Sequence, residues 1–540
     1  MTSLSPVPVS VASRRRGSRQ LAGTGALLRL ALRRDRVMVP LWVLLIGGTT
    51  ASATNTLGQI YDTPAERAGV VTSMAANSSL RSLYGPVFND SLGALVTWRY
   101  VAFMAAFAAL MSLLLVVRHT REEEETGRQE MLSAAMVGRR APLTASLLVA
   151  LIANTGIALL VVLGLAGEGM GGALALGLGI GGVGMVFATL AAVAAQLTET
   201  ARLAKGLTAA GLGLAWVLKA AGDAASDDAS HPLTWLSPIG WAENLRAFGG
   251  ERWWVLLLFA GAVAVLTGLA YVLTGRRDIG MSFMPARPGP AEGRIATAAG
   301  LAWRLQRGSL LGWGIGFLVA GVMFGGITEG VADLVGDNEQ TKAMLARLGG
   351  QSGITDSFLA AMISMLGMIA AVYVVQSVLR LNGEETSQRG EPVLAGAVGR
   401  VRWAAGHLLI AFGGAALLML LAGAGLALGY GERAGAILGG CLVLIPAIWL
   451  IGSVAVLVYG LLPRAAVLGW VYAGLCLGLG WLGAAFDLPK RALDVSPFEH
   501  LPRLPGNAME WTPFLTLLAL SALATAAGLA GLRRRDLQTG

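Results

Sequence analysis

Long apolar runs alternate with short charged stretches along almost the whole chain. A bilayer-spanning helix needs about 20 consecutive apolar residues. Six such runs lie in the first half of the sequence, near 38–56, 94–117, 143–166, 172–197, 205–222 and 253–275. Six more lie in the second half, near 309–328, 357–379, 404–429, 434–461, 465–486 and 512–532. The pattern predicts an all-α polytopic membrane protein with twelve transmembrane helices.

Composition and charge agree with this prediction and give the chain an orientation. Only 14% of the 540 residues are charged, and the mean hydropathy is +0.65. With the amino terminus inside, the predicted inner segments hold 29 of the 41 Lys and Arg residues, as the positive-inside rule requires. The net charge of +9 then serves orientation and contact with anionic lipids. We expect both termini in the cytoplasm and no nucleic-acid partner, since no soluble basic domain is present.

The first residues and the cysteines add little chemistry. The Arg-rich start lacks the short apolar core of a removable signal peptide, and its twin arginines fit a positive-inside anchor better than an export signal. Cys441 and Cys476 both fall inside predicted spans, so we expect no disulfide and no cysteine-based metal site.

The chain contains an internal duplication. At an offset of 261, residues 123–139 and 384–400 share eight identities in seventeen positions. The segments 30–42 and 301–313 match in the same order, as do Ser237-Pro238 with Ser496-Pro497 and 276–278 with 534–536. We therefore predict two parallel six-helix repeats, 1–283 and 301–540, joined by a Pro- and Gly-rich cytoplasmic linker at 284–300.

Local signals predict smaller features within each half. Thr63, Pro64 and Glu66 have the spacing of a helix start between the first two spans, and Asp337 and Gln340 offer the same roles in the second half. Two G-x-x-x-G motifs, Gly177/Gly181 and Gly474/Gly478, predict close helix packing.

Charged side chains are rare inside the predicted spans. None of the twelve segments contains Asp or Glu away from its ends. Arg99 and Lys219 lie close to a predicted outer end, where long side chains can reach the interface. His407 lies near an inner end, where we favour a hydrogen-bonded structural histidine over a proton relay. Ion-driven transporters usually carry ionisable groups deep in the membrane, so the sequence argues against that class.

The chain also lacks the local motifs of an ATPase or an intramembrane hydrolase. It has no G-x-x-x-x-G-K-[ST] loop, and no Gly-Lys pair at all. Neither H-E-x-x-H nor G-x-S-x-G occurs. We therefore expect a transport subunit that is not an enzyme, and any ATP that drives it must be hydrolysed by a separate polypeptide.

Two charged stretches interrupt the apolar pattern, each after the second span of its half. We call residues 118–139 the first acidic segment and residues 380–400 the second acidic segment. Glu124 with Arg128, and Glu385 with Arg389, have the i,i+4 spacing that stabilises a helix. A solvated surface helix is one interpretation. Because both copies keep the same spacing of acids and arginines, a docking role is the preferred one.

These features resemble a known family. The Arg-rich start, the E-E-E-x-G-R-x-E-x-L pattern and the Ser-Pro before the sixth span are similar to permease subunits of ABC-2 class ATP-binding-cassette exporters. The fused twelve-span form resembles bacterial exporters of polyketide antibiotics of the tetronasin type. The resemblance implies a type V exporter fold and export of amphipathic drugs from the cytoplasm or inner leaflet across a bacterial plasma membrane.

The resemblance also implies partners and docking residues. Two copies of a separate nucleotide-binding subunit would hold ATP and Mg²⁺, and this chain would bind no cofactor. An interfacial helix would occupy about 27–36, and coupling helices about 119–139 and 381–400. The residues implied to meet the ATPase copies are Glu122, Glu123, Glu124, Arg128 and Glu130, then Glu384, Glu385, Arg389 and Glu391. The second copy has two consecutive acids where the first has four, so the two docking sites are expected to be unequal.

Family resemblance further implies a substrate path between the halves, lined by large adaptable side chains. The candidates are Trp42, Phe103, Met104, Phe107 and Trp216, with Trp313, Phe317, Met365 and Met368. Ordinary lipid-facing or helix-packing positions are the alternative for each of them. At the level of function, the alternatives are an ion-driven secondary multidrug transporter and a structural membrane scaffold.

Overall fold

The computed structural model shows a helical protein. It describes residues 20–76, 78–128, 137–278, 281–284, 293, 295, 297–328, 353–482 and 489–536. In these residues, eleven helices are long and apolar enough to cross a membrane, or twelve if the bent pair Thr24–Arg34 and Met38–Ile60 is one span. The predicted all-helical, multi-pass architecture is thus confirmed. The chain divides into two compact units, Met1–Pro288 and Gly289–Gly540.

The first unit contains twelve helices in its described residues. They are α1 (Thr24–Arg34), α2 (Met38–Ile60), α3 (Pro64–Ala76), α4 (Ser78–Tyr84), α5 (Leu92–Arg118), α6 (Arg121–Glu125), α7 (Ala141–Leu165), α8 (Met170–Leu197), α9 (Ala201–Ala225), α10 (Pro232–Trp235), α11 (Pro238–Asn244) and α12 (Leu256–Arg276).

The second unit contains nine helices in its described residues. They are α13 (Ala298–Ile327), α14 (Ile354–Thr386), α15 (Glu391–Leu394), α16 (Arg400–Tyr430), α17 (Ala434–Val443), α18 (Ile445–Leu461), α19 (Leu468–Leu482), α20 (Lys490–Leu493) and α21 (Trp511–Arg534).

The two units begin differently. In the first unit α1 and α2 meet at a bend of 70°, whereas α13 runs unbroken for 30 residues. Pro40 explains the break, because it cannot donate to the carbonyl four residues earlier and its ring clashes there. Leu311 stands at the matching position of the second half. An interfacial helix was expected near 27–36, and α1 occupies Thr24–Arg34.

The helix start predicted at Thr63 is present. The Glu66 backbone N–H donates to the Thr63 hydroxyl at 3.3 Å, and the Thr63 N–H donates to the Glu66 carboxylate at 3.0 Å. This reciprocal pair is a capping box at the start of α3. The matching residues Asp337 and Gln340 lie outside the described residues.

Glycine allows two helices to pack closely, and close packing is found at one of the two predicted G-x-x-x-G motifs. A Cβ at Gly177 would lie 2.8 Å from the Ala158 carbonyl oxygen, so this motif does pack α8 against α7. The prediction is wrong for Gly474 and Gly478, where an added Cβ would meet no described atom within 4 Å.

A close glycine contact also joins α13 to α16 in the second unit. It is made by two facing G-x-x-x-G motifs that the sequence analysis missed, Gly321/Gly325 and Gly425/Gly429. A Cβ at Gly325 would lie 2.3 Å from the Leu426 carbonyl oxygen, and one at Gly425 would lie 2.4 Å from the Leu318 carbonyl oxygen. The two backbones therefore touch along this stretch, as small residues allow.

We predict that Gly325→Ala destabilises the second unit, because the methyl group would collide with backbone that cannot move without separating α13 from α16. Overpacking of this kind costs about 1–3 kcal/mol. Gly316→Ala in the same helix is the matched control, since its Cβ would meet nothing within 4 Å. Thermal unfolding of the purified chain in detergent should show a lower midpoint for Gly325→Ala only. Equal midpoints would show that the backbones are not in contact.

Candidate functional site

The four consecutive glutamates of the first acidic segment each bind a different group within the first unit. Glu122 pairs with Lys205 at the start of α9, and Glu123 pairs with Arg34 at the end of α1. Glu124 binds Arg277, directly after α12, through both carboxylate oxygens, with one N–O distance of 2.8 Å. Glu125 accepts the Ala201 N–H at 2.8 Å. The four glutamates therefore connect this segment to α1, to α9 and to the end of α12.

The local fold follows from two turns on either side of α6. His119 and Thr120 separate α5 from α6, and α6 ends at Glu125. Gly127 then adopts a φ of 69°, a left-handed conformation that ends a helix. Arg128 is consequently not one turn above Glu124, and it pairs with Glu123 at 3.4 Å instead. The predicted Glu124–Arg128 helix pair is wrong for this reason.

Arg121 stabilises the same segment from its buried side. Its side chain is almost fully buried and pairs with Glu124, while its Nε donates to the Glu199 carbonyl oxygen at 2.8 Å. Two arginines, Arg121 and Arg277, therefore flank one carboxylate. Charge-assisted bonds of this kind are stronger than bonds between neutral groups. Glu130 lies outside the described residues, as does the rest of 129–136.

The second acidic segment is held by a different set of partners. Glu385 binds Arg535, directly after α21, with two N–O distances of 2.7 Å. The Tyr459 hydroxyl donates to the same carboxylate at 2.6 Å. Glu384 pairs with Arg380 in its own helix at 3.4 Å. Arg389 and Glu391 are exposed.

The expected single helix over 381–400 is wrong. Helix α14 continues through Glu385 to Thr386, and only the short α15 follows before α16. Gln388 has a φ of 59°, which ends α14. Pro392 lacks the N–H needed to extend a helix through this point. The predicted Glu385–Arg389 pair is therefore also wrong, since the chain turns between the two residues.

The path candidates of the first unit fall into two groups. Phe103 and Trp216 form a tilted aromatic pair with ring centroids 5.1 Å apart, and the Tyr84 ring centroid lies 5.8 Å from that of Phe103. Met104 is buried, Trp42 is half-buried and Phe107 is exposed. Only Phe103 and Trp216 are thus brought together, as part of an aromatic cluster.

The path candidates of the second unit are mostly core residues. Trp313 lies 6.1 Å from Phe317 between ring centroids, and its indole N–H donates to Gln376 at 3.0 Å. Phe317 and Met368 are buried in the hydrophobic core of the unit, while Met365 is half-buried.

A buried charged cluster in the first unit escaped the sequence analysis. Lys219 was expected to reach the interface, but its side chain is fully buried. Its Nζ lies 3.2 Å from an Asp223 oxygen and 3.0 Å from a Glu243 oxygen, and it donates to the Leu83 carbonyl oxygen at 3.2 Å. The signal was available in the i,i+4 spacing of Lys219 and Asp223. It was missed because the predicted span ended at 222, one residue too early.

This cluster holds two carboxylates and one ammonium away from water. The Asp223 carboxylate also accepts the Thr234 hydroxyl at 3.0 Å. Burial, and then the neighbouring Asp223 charge, raise the pKa of Glu243 well above its ordinary value. A small cavity lined by Tyr84, Thr97 and Trp98 adjoins Glu243. In the described part of the chain, no group of three or more His, Cys, Asp or Glu side chains could hold a metal ion.

His407 is buried and hydrogen-bonded. Its Nδ1 lies 3.0 Å from the Gln306 amide nitrogen, and the Gln306 oxygen accepts the Ser377 hydroxyl. A second buried histidine contact lies in the first unit, where His119 and Arg118 both bind Asp35 at the α1–α2 bend. In the first unit these contacts tie the α1–α2 bend to the end of α5, and in the second they tie α13 to α14 and α16.

The sequence is similar to that of known membrane permeases over both units. Residues 295–533 match the family model described as the C-terminal domain of the multidrug efflux system permease Rv1217c. The chain is also 40% identical over 528 residues to the multidrug efflux system permease protein Rv1217c of Mycobacterium tuberculosis, covering 96% of this chain and 95% of that protein. Since the match spans both units, the chain belongs to the family of multidrug efflux system permeases.

Proposed function

We propose that this chain is the permease of an ATP-driven pump that exports amphipathic drugs or polyketide-like antibiotics. ATP and Mg²⁺ would be held by two copies of a separate nucleotide-binding subunit. The chain would lie in a bacterial plasma membrane with both termini in the cytoplasm, its two units acting as parallel six-span repeats. The relative's name gives the substrate class and calls it part of a system, which is consistent with further components.

The observation that carries the proposal is the pair of acidic segments. Each segment lies where the ends of several long helices meet, so a subunit bound there would contact the spans through one surface. Parts of each segment face solvent. Arg128 is about half-exposed, Glu122 is about one-third exposed, and Arg389 and Glu391 are exposed. Because Glu124 and Glu385 are engaged internally, we propose that docking uses the exposed charges instead.

The aromatic cluster around Phe103 and Trp216 supports the proposed substrate class. Aromatic faces suit large apolar or cationic compounds, because they combine apolar area with attraction for positive charge. Two cations of the chain itself already lie against this cluster. The Arg99 guanidinium lies 4.4 Å from the Tyr84 ring centroid, and Lys219 Nζ lies 5.7 Å from the Trp216 ring.

One observation favours the alternative of a proton-driven transporter. The Lys219, Asp223 and Glu243 cluster is the kind of buried ionisable group that proton-coupled transport requires. Lys219 lies about 9 Å along α9 from its end at Ala225, from the helical rise of about 1.5 Å per residue. A structural role explains the same contacts, because Lys219 ties α9 to α4 and α11.

We predict that an ATPase with a Walker motif co-purifies with the chain when its genomic neighbours are co-expressed. The double variant Arg389→Glu/Glu391→Lys should reduce that recovery by about tenfold, the effect of about 1.4 kcal/mol of lost binding. Glu432→Lys is the control, an exposed charge between α16 and α17, at the other end of α16 from the second acidic segment. Unchanged recovery of the ATPase in the double variant would contradict the docking assignment.

We predict that Glu243→Gln leaves ATP-dependent efflux of ethidium intact and changes the pH dependence of stability. With its pKa raised, folded Glu243 keeps a proton that the unfolded chain releases, so stability falls as pH rises from the ordinary pKa through the raised one. The Gln variant cannot release this proton, so its thermal midpoint should fall less as the pH rises above the ordinary glutamate pKa. Loss of efflux in a stably folded Gln variant would favour the proton-driven alternative.

A further inference from the structure

One ion pair occurs in both units at positions that the internal duplication matches. Glu124 and Glu385 correspond at the offset of 261, and Arg277 and Arg535 are the middle residues of the matching Arg-Arg-Asp triplets. Each glutamate binds its arginine through two N–O contacts. Side-chain exposure is 7% or less for both glutamates and for Arg277, and 13% for Arg535. We call these the two clamp pairs.

Two neighbouring positions also match between the units. Arg277 Nε donates to Gln196 near the end of α8 at 2.8 Å, and the Tyr459 hydroxyl donates to Glu385 near the end of α18. These two residues are 263 positions apart. The backbone carbonyl of each clamp arginine also accepts a guanidinium, from Arg139 in the first unit and Arg400 in the second, which match at 261. Each clamp pair thus has a polar neighbour near the end of a matching helix and an arginine bound to the clamp arginine's carbonyl.

The contacts that Glu122, Glu123 and Glu125 make in the first unit have no counterpart at the matching positions of the second. Gly383 and Thr386 stand at the positions of Glu122 and Glu125, which bind α9 in the first unit. Leu305 stands at the position of Arg34, the partner of Glu123. The clamp pair is therefore what the two segments have kept in common while their remaining ion pairs diverged.

The clamp pairs join helices that otherwise have little contact. Helices α5 and α12 do not pack extensively against each other in the described residues, and neither do α14 and α21. The glutamate lies on α6, just beyond α5, in the first unit and in the last turn of α14 in the second. The arginine directly follows α12 or α21. The ion pair is therefore a direct link between each acidic segment and the end of the last helix of that unit.

We propose that Glu124–Arg277 and Glu385–Arg535 are positioning pairs that carry movement of each acidic segment to the last spanning helix of its unit. This inference rests on the proposed function for the origin of the movement, namely ATPase binding at the acidic segments. It adds the residues through which that movement would reach the last spanning helix. The last helix follows the segment because two parallel bonds fix both the distance and the angle between the carboxylate and the guanidinium.

Arginine is specifically suited to this task. Its planar fork makes two parallel bonds to a carboxylate, whereas a lysine ammonium is a compact charge that can pivot around a single contact. Replacing the clamp arginine with lysine should therefore retain attraction but lose the fixed angle. The lysine variant consequently separates a positioning role from simple charge neutralisation.

The test uses the full chain expressed with its genomic neighbours in cells and measures ethidium efflux per molecule of permease. The variants are Arg535→Lys, Glu385→Arg, and the exchange Glu385→Arg/Arg535→Glu. The second unit is chosen because in the first unit Arg121 also binds Glu124 and would complicate the exchange of charges. Arg534→Lys is the matched control, an exposed arginine one residue earlier. Thermal unfolding and recovery of the co-purifying ATPase are measured for each variant.

We expect Arg535→Lys and Glu385→Arg to lower efflux at least tenfold, with ATPase recovery and ATP hydrolysis retained, so that fewer ethidium ions move per ATP. The exchange variant should recover efflux to within about threefold of the wild type, since the pair is re-formed in reverse. Wild-type efflux in Arg535→Lys, or an exchange variant as inactive as the single variants, would overturn the inference. If no ATPase is recovered with the wild type, the proposed function fails, while the efflux of the exchange variant still decides whether the pair acts as a unit.

Discussion

The helix ends in the described part of this protein depend on one constraint. A charge that is removed from water needs an oppositely charged partner at a fixed position. Breaking a buried ion pair by removing one member costs about 3–5 kcal/mol, because the remaining charge is left uncompensated. Glu124, Glu385, Asp35 and Lys219 are all buried or nearly so, and each has an oppositely charged neighbour. In a chain with so few charges, these pairs determine which helix ends meet.

This constraint gives the acidic segments two faces. The inner face is occupied by arginines and a lysine of the same unit, and the outer face leaves charges such as Arg128, Arg389 and Glu391 in solvent. A solvent-exposed ion pair contributes little to stability, about 0–1 kcal/mol. The outer charges are thus free to serve recognition, while the inner charges hold the segment against the helices. A docking surface that moves as part of the membrane domain requires both properties.

Much of the fold could be predicted from the sequence, because apolar runs of about 20 residues have few alternatives to a spanning helix. The capping box at Thr63 was also predictable, since it depends on four neighbouring residues. The helix ends were not. Gln388 and Gly127 adopt left-handed conformations that stop α14 and α6, and nothing in the i,i+4 pattern indicates this. The sequence draws attention to the glutamates, but their partners Arg277 and Arg535 lie about 150 residues away in sequence.

The buried cluster around Lys219 shows a different limit. Lysine close to the end of an apolar run is normally assumed to reach water. The i,i+4 spacing to Asp223 indicates a partner, but only the tertiary contacts reveal that the pair is buried. Glu243, the second partner of Lys219, belongs to a separate helix. Its carboxylate packs closely against Gly85, where a Cβ would lie 2.7 Å away. Long-range pairing of this kind depends on the fold and has no local signature.

The unequal glutamate runs have an evolutionary consequence. When two identical subunits form a transporter, one gene specifies both acidic segments, and a substitution at either position alters both at once. Here the two segments are encoded separately, so Gly383 and Thr386 could arise in one copy while Glu122 and Glu125 remained in the other. The first segment is bound to α1, α9 and α12, and Glu385 of the second is bound to Tyr459 on α18 and to Arg535 after α21. An equal push on the two segments would therefore be carried to a different set of helices in each half.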